Sequence, residues 1–309
     1  MSAPARFAAI DIGTNSVLLA VAEQGPAGLK AVVERAEITR LGRGVDATGR
    51  LSGESLSRTL AVVEAYAAQA RDLGASRIAC VATSAARDAE NGPAFLERLR
   101  ALRLAPEIVS GEREARLGYL AARHEFAGGG PLALLDVGGG STEIVFGRGE
   151  RVSYWTSLPV GSVRLYERFV RSDPPAPGER EQARRAIAGA LLPVPAAGAG
   201  TRLVGAAGTV TTLAALAAGL PAYDAGRVHG SALERVEVAR WVERLWRLPV
   251  EERRRLPGLQ PGRADVIPVG ALIVDAVLGQ LGLDRLTVSD RGVRWGLLYE
   301  LAAGAAERS

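Results

Sequence analysis

Phe7-Ala-Ala-Ile-Asp11-Ile-Gly-Thr-Asn-Ser16-Val-Leu-Leu-Ala-Val-Ala22 reads as an apolar strand, a turn at Gly13 and a second strand. Leu132-Ala-Leu-Leu-Asp136-Val-Gly-Gly-Gly-Ser141-Thr-Glu143-Ile-Val-Phe-Gly147 reads the same way, with Asp, Gly and Ser at the same offsets. Chance likeness between glycine-rich turns is one explanation. The shared strand–turn–strand setting favours another, a duplicated domain. Gly128-Gly-Gly-Pro131 is the clearest breaker cluster between the two copies, so domains are expected over 1–127 and 128–309. A terminal helix over about 293–303 is a candidate to pack back on the first domain.

Outward from these turns, helices and strands alternate. Helices are expected over Ser52–Leu73, Pro93–Arg103, Glu112–Arg123, Glu179–Leu192, Thr209–Ala218, Leu233–Arg247 and Arg263–Leu281. Strands are expected over Ala31–Thr39, Arg77–Thr83, Glu107–Val109, Leu203–Gly208 and Arg285–Ser289. The class is therefore α/β.

The composition removes several kinds of protein. One cysteine, Cys80, excludes a disulfide framework and a multi-cysteine zinc site. Two histidines, His124 and His229, make a histidine-rich metal centre a poor fit. The first apolar run is cut at Asp11 and the longest later one, Val266–Leu281, contains Asp275. Neither a signal peptide nor a membrane span is expected, and the expected location is the cytoplasm. The net charge is +4 with a pI near 9.6, and Lys30 is the only lysine. Most of that arginine reflects a composition rich in Ala, Gly, Arg and Val. It predicts at most a weak, salt-sensitive polyanion affinity, with no specific nucleic acid and no membrane as partner.

Four segments bear chemistry. The two glycine turns let the backbone approach an anion and point N–H groups at it, with Asn15, Ser16, Ser141 and Thr142 as further donors. They match neither the P-loop nor the dinucleotide fingerprint. Asp11 and Asp136 end apolar strands, where a bound Mg²⁺ and a turn of loop amides satisfy a carboxylate equally well. Ala82-Thr-Ser-Ala-Ala-Arg87-Asp88 follows a strand, so Arg87 either meets a phosphate or joins a surface charge cluster. Ser110-Gly-Glu112-Arg-Glu114-Ala opens a helix, where acids serve the helix dipole or activate water.

These segments, in this order, resemble the exopolyphosphatase / guanosine pentaphosphate phosphatase (Ppx/GppA) family. Gly205-Ala-Ala-Gly208-Thr209, Arg263-Ala-Asp265 and Gly292-Val-Arg294-Trp-Gly296 extend the likeness towards the C-terminus. The resemblance implies two ribonuclease-H-like domains of the actin-like ATPase superfamily with an active-site cleft between them. It implies a phosphoanhydride hydrolase that releases terminal orthophosphate from inorganic polyphosphate with Mg²⁺ or another divalent cation. The alternative is a pppGpp 5′-phosphatase, followed by an actin-like kinase and a non-catalytic phosphate or nucleotide sensor.

Carried over by position, Glu114 is the implied catalytic carboxylate, and Asp136, Glu143 and Asp11 are the acids around the metal. Gly13, Asn15, Ser16, Arg87, Gly138, Gly139, Gly140, Ser141, Gly208, Thr209 and Arg263 are the implied phosphate contacts. A homodimer is expected by resemblance only. Arg113 and Trp295 stand where the family often has Glu, which leaves the role of Arg294 open. The chain is also expected to lack the helical extension of long family members.

Overall fold

The structure is a computed structural model that describes residues 4–126 and 128–306. By contact density the chain forms two units. Unit 1 runs through Ala121 and regains the chain from Val293 onward, and unit 2 is Ala122–Gly292.

In unit 1, β1 (Arg6–Ile12) turns back into β2 (Ser16–Gly25), and β3 (Gly28–Ile38) continues the antiparallel meander. After α1 (Val45–Thr48), α2 (Gly53–Asp72) crosses to β4 (Arg77–Ala82), which runs parallel to β1. The Ser52 side chain caps α2 by accepting from the Ser55 N–H at 3.2 Å. The short α3 (Ser84–Asp88) and α4 (Gly92–Ala101) lead to β5 (Pro106–Ile108), parallel to β4, and α5 (Gly111–Phe126) follows. The strand order is β3-β2-β1-β4-β5, which is the ribonuclease-H-like order.

Alternation along β1 explains both faces of this sheet. Ala8, Ile10 and Ile12 pack with Val63 and Ala67 of α2 and Phe95 and Leu99 of α4. Phe7 and Ala9 pack on the other face with Leu117 of α5 and Trp295 and Leu298 of the C-terminal helix, Val293–Ala306. Each fully buried large apolar side chain contributes about 1.5–3 kcal/mol. Asp11 continues the Phe7–Ala9 row, so it emerges on the face whose covering helices carry Glu114 and Arg294. A Cβ on Gly296 would lie 2.2 Å from the Leu117 carbonyl oxygen, so only glycine lets these two helices approach so closely.

Unit 2 repeats the plan. β6 (Leu132–Val137), β7 (Thr142–Arg148) and β8 (Arg151–Leu158) form the meander. α6 (Ser162–Phe169) and α7 (Pro177–Leu191) lead to β9 (Arg202–Ala206), parallel to β6. α8 (Ala207–Ala217) and α9 (Ala225–Val228) precede the short edge strand β10 (Ala232–Glu234). α10 (Arg235–Arg247), α11 (Val250–Arg254) and α12 (Ile267–Leu281) then lead to β11 (Arg285–Val288), parallel to β9. The order β8-β7-β6-β9-β11 matches unit 1, with β10 added antiparallel at the edge.

The apolar run ending at Leu281 is a core helix of unit 2: Ile273, Val274 and Val277 of α12 pack with Leu135 and Val137 of β6 and Ile187 of α7. Among the described residues no helix is long and apolar enough to cross a membrane.

Two expected helices start later than anticipated. Leu233 belongs to β10, and its helix begins at Arg235. Arg263 ends a single 3-10 turn, Pro261–Arg263, and its helix begins at Ile267 with Pro268 in the first turn. β8 and α6 were not anticipated at all.

Candidate active site

The two glycine turns have the same geometry. Gly13 N–H donates to the Ser16 carbonyl at 2.9 Å, and Gly138 N–H donates to the Ser141 carbonyl at 3.0 Å. A Cβ on either glycine would stand 3.1 Å from that same carbonyl oxygen. In each unit the segment after the third meander strand is docked on its turn through a glycine. A Cβ on Gly42 would meet Thr14 Cγ2 at 2.2 Å, and one on Gly161 would meet the Gly139 oxygen at 2.3 Å. The duplication read from the sequence is therefore a duplication of turn, docking and sheet order.

Unit 1 gathers Asp11, Arg87 and Glu114. Glu114 lies in the first turn of α5, its side chain 11% exposed. Arg87 Nη1 donates to Glu114 Oε2 at 3.0 Å and to the Val109 carbonyl at 2.9 Å. Burial pushes the Glu114 carboxyl above the usual range, Arg87 pulls it back, and Asp88 adds to the rise. Asp11 is pushed up to about 7, first by burial and then by Glu114, with Arg294 opposing. Among the described residues, Asp11 Oδ1 and Asn15 Nδ2 are buried side-chain atoms with no hydrogen-bond partner. An unsatisfied buried carboxylate oxygen suits a ligand that brings a cation, and an unsatisfied buried amide suits one that brings an acceptor oxygen.

Arg294 and Trp295 meet in this unit on Glu34 of β3. Arg294 Nη2 and Trp295 Nε1 each donate to Glu34 Oε1 at 2.9 Å. Arg113 gives both guanidinium nitrogens to Glu300 of the C-terminal helix, which fastens that helix to α5. The two positions that depart from the family pattern are thus engaged inside unit 1. Trp295 is fully buried.

In unit 2 the register sets Asp136 directly opposite Glu143 on β6 and β7. Two like charges so placed repel unless something neutralises them. Glu143 is 1% exposed, and its Oε1 accepts from Ser157 Oγ of β8 at 2.7 Å. The equivalent pair in unit 1 is Asp11 opposite Leu18, so only the second copy carries two carboxylates here. Among the described residues no group of three or more His, Cys, Asp or Glu side chains is assembled as a metal centre. Paired carboxylate oxygens fit Mg²⁺, which takes one or two carboxylates and fills its remaining positions with water and phosphate oxygens.

A second anion turn completes unit 2. A Cβ on Gly208 would fall 2.3 Å from Cζ and both terminal nitrogens of Arg263, so the guanidinium lies flat against the Gly208 backbone at the start of α8. Arg263 Nε donates to Gln260 Oε1 at 3.1 Å, and burial lowers its pKa while Tyr223 and Asp290 push back. Thr209 is 4% exposed beside it. The start of α8 and the Arg263 guanidinium therefore meet at Gly208, an arrangement suited to an anion.

Asp11, Asn15, Arg87 and Glu114 lie in unit 1, and Asp136, Glu143, Gly208, Thr209 and Arg263 lie in unit 2. Sequence reasoning missed Glu34, Ser157, Tyr223 and Asp290. Tyr223 OH donates to Asp290 Oδ1. It also missed the contacts of His229, whose Nδ1 accepts from the Asp290 N–H at 3.3 Å and whose Nε2 is 3.5 Å from Glu125 Oε2. None of these sits in a recognisable local motif, and only the fold brings them to their partners.

Two tandem ribonuclease-H-like units, each with a phosphate-type turn and buried carboxylates at its sheet, define the class. Residues 20–304 match the Ppx/GppA phosphatase family, and the chain belongs to it. It is 40% identical to exopolyphosphatase 2 of Mycobacterium tuberculosis over 96% of this chain and 98% of that protein. It is 30% identical to a guanosine-5′-triphosphate,3′-diphosphate pyrophosphatase of Vibrio campbellii, spanning 96% of this chain and 59% of that longer protein. The crystal structure of the Aquifex aeolicus Ppx/GppA family member superposes with a TM-score of 0.84 at 37% identity, covering 97% of this chain and 98% of that one.

Proposed function

We propose that the chain is an exopolyphosphatase, which hydrolyses the terminal phosphoanhydride of inorganic polyphosphate and releases orthophosphate. The observation that carries this reading is the buried Glu114 carboxylate held by Arg87. A base with a raised pKa takes a proton from water better than an ordinary surface glutamate does. As the water oxygen bonds to the terminal phosphorus, its proton passes to Glu114 Oε1 or Oε2. The bridging P–O bond breaks, and its electron pair leaves with the shortened chain.

The remaining residues bind and neutralise. In unit 1 Asn15 and Ser16, and in unit 2 the Gly139 and Gly140 N–H groups with Ser141, Thr209 and Arg263, would hold phosphate oxygens. Asp136 and Glu143 would hold Mg²⁺ in unit 2. Bound there, the ion would neutralise phosphate charge that the arginines leave uncompensated.

A relative named for exopolyphosphatase matches over nearly its whole length, which favours polyphosphate. The second reading, a pppGpp 5′-phosphatase, draws on the Vibrio campbellii relative. Orthophosphate release by the purified chain from polyphosphate and from pppGpp, each with Mg²⁺ and with EDTA, tests both. Release from polyphosphate that EDTA abolishes is expected. Release from pppGpp alone favours the second reading, and release from neither overturns both.

A further inference from the structure

One side chain bonded to the glycine turn of unit 2 has no part in the site described so far. Three successive carbonyls of that turn are drawn to the start of α6. The Gly138 carbonyl accepts from the Ser162 N–H at 3.0 Å and from Ser162 Oγ at 3.3 Å. The Gly139 carbonyl accepts from the Val163 and Arg164 N–H groups at 2.9 and 3.0 Å. The Gly140 carbonyl accepts from Arg164 Nε at 2.7 Å, the shortest bond of the set. In a trans peptide the carbonyl of one residue and the N–H of the next point in opposite directions. Holding these carbonyls to one side therefore turns the Gly139, Gly140 and Ser141 N–H groups to the other. Among the described residues, none of the three donates to a backbone carbonyl of the turn or of the segment docked on it. Successive N–H groups turned in this way suit an anion.

Unit 1 holds its own turn by backbone bonds. The Thr14 carbonyl accepts from the Gly42 N–H at 2.8 Å, and the Asn15 carbonyl accepts from the Thr39 and Arg40 N–H groups at 3.0 and 2.9 Å. Asn15 stands where unit 2 has Gly140, so a pair of backbone bonds in one copy is replaced by a guanidinium bond in the other. The replacement matters because residues 138–140 of unit 2 are all glycine. Glycine leaves the neighbouring peptide plane free to turn over, and an unheld Gly140–Ser141 plane loses its direction. A charge-assisted bond of 2.7 Å opposes that rotation. We infer that Arg164 is a positioning residue: by holding the Gly140 carbonyl it keeps the Ser141 N–H directed at bound phosphate.

This role for Arg164 rests on reading the turn as a phosphate site of a phosphoanhydride hydrolase, and the test separates the two. Arg164→Gln puts its amide nitrogen where arginine has Nε, so it keeps the donor and loses the charge. Arg164→Met puts a methyl group there and loses both. Each is compared with the wild-type chain in orthophosphate release from tripolyphosphate with Mg²⁺ and in Tm. Arg164→Met is expected to raise KM about tenfold, with kcat within about threefold and Tm within about 4 °C of wild type, as for one hydrogen bond lost at the turn. Arg164→Gln should recover most of that rise in KM. A guanidinium that met substrate through its charge would leave Arg164→Gln as impaired as Arg164→Met, and a merely structural arginine would lower Tm and leave KM at the wild-type value. Either result overturns the positioning role while leaving the hydrolase reading intact. If the wild-type chain releases no phosphate, calorimetric tripolyphosphate binding decides. Weaker binding by Arg164→Met that Arg164→Gln restores supports the role, and equal or absent binding in all three chains overturns it.

Discussion

Burial lifts the Glu114 carboxyl above its ordinary value of 4.5, and the Arg87 guanidinium at 3.0 Å opposes that rise. Only the ionised carboxylate accepts a proton from water. The acid limb of kcat/KM should therefore lie above 4.5, with activity falling as pH drops through it. Arg87→Ala removes the opposing charge, so the limb should move to higher pH. A pH–rate profile checks this, and a limb that stays in place contradicts the pairing. Glu114 and Arg87 were legible in the sequence because both lie in short ordered motifs. Glu34 was not, because it looks like any solvent-facing glutamate of a meander strand. Its partners Arg294 and Trp295 are at the other end of the chain, and only folding brings them together.

At the scale of elements, the repeated unit is a hairpin, its turn and the segment docked on that turn. Gly161→Ala would press a methyl group to 2.3 Å from the Gly139 oxygen, and the backbone on both sides must move. A loss of about 1–3 kcal/mol is expected, together with weaker phosphate binding, because the Gly138–Gly140 amides shift. Denaturant melts and KM measure the two effects, and an unchanged melt contradicts the close approach. The hairpins themselves were readable from apolar strands broken by glycine. β8 was not, since its exposed edge residues Arg151, Ser153 and Trp155 blur the apolar signal. α6 begins at Ser162 behind Gly161, which offers no capping side chain, so no start signal marks it. β10 is three residues long and runs directly into α10, and it was absorbed into that helix.

At the scale of the whole molecule, one architecture has been used twice and carries different carboxylates in its two copies. Both copies keep the strand order, the Asp at the end of the first strand and the turn hydrogen bond. The second copy places Glu143 opposite its Asp, where the first has Leu18. The first copy keeps Glu114 and Arg87 near its Asp. We propose that Glu114 of unit 1 takes the proton and that the carboxylate pair of unit 2 binds the cation. The tandem fold was legible because Asp, Gly and Ser recur at the same offsets after an apolar strand. The division of labour was not, because it depends on cross-strand register. The central claim is that Glu114 activates the attacking water, and orthophosphate release from polyphosphate by Glu114→Gln tests it most directly. With Tm and tripolyphosphate binding preserved, kcat should fall roughly 10²–10⁴-fold; release at the wild-type rate would contradict that role for Glu114.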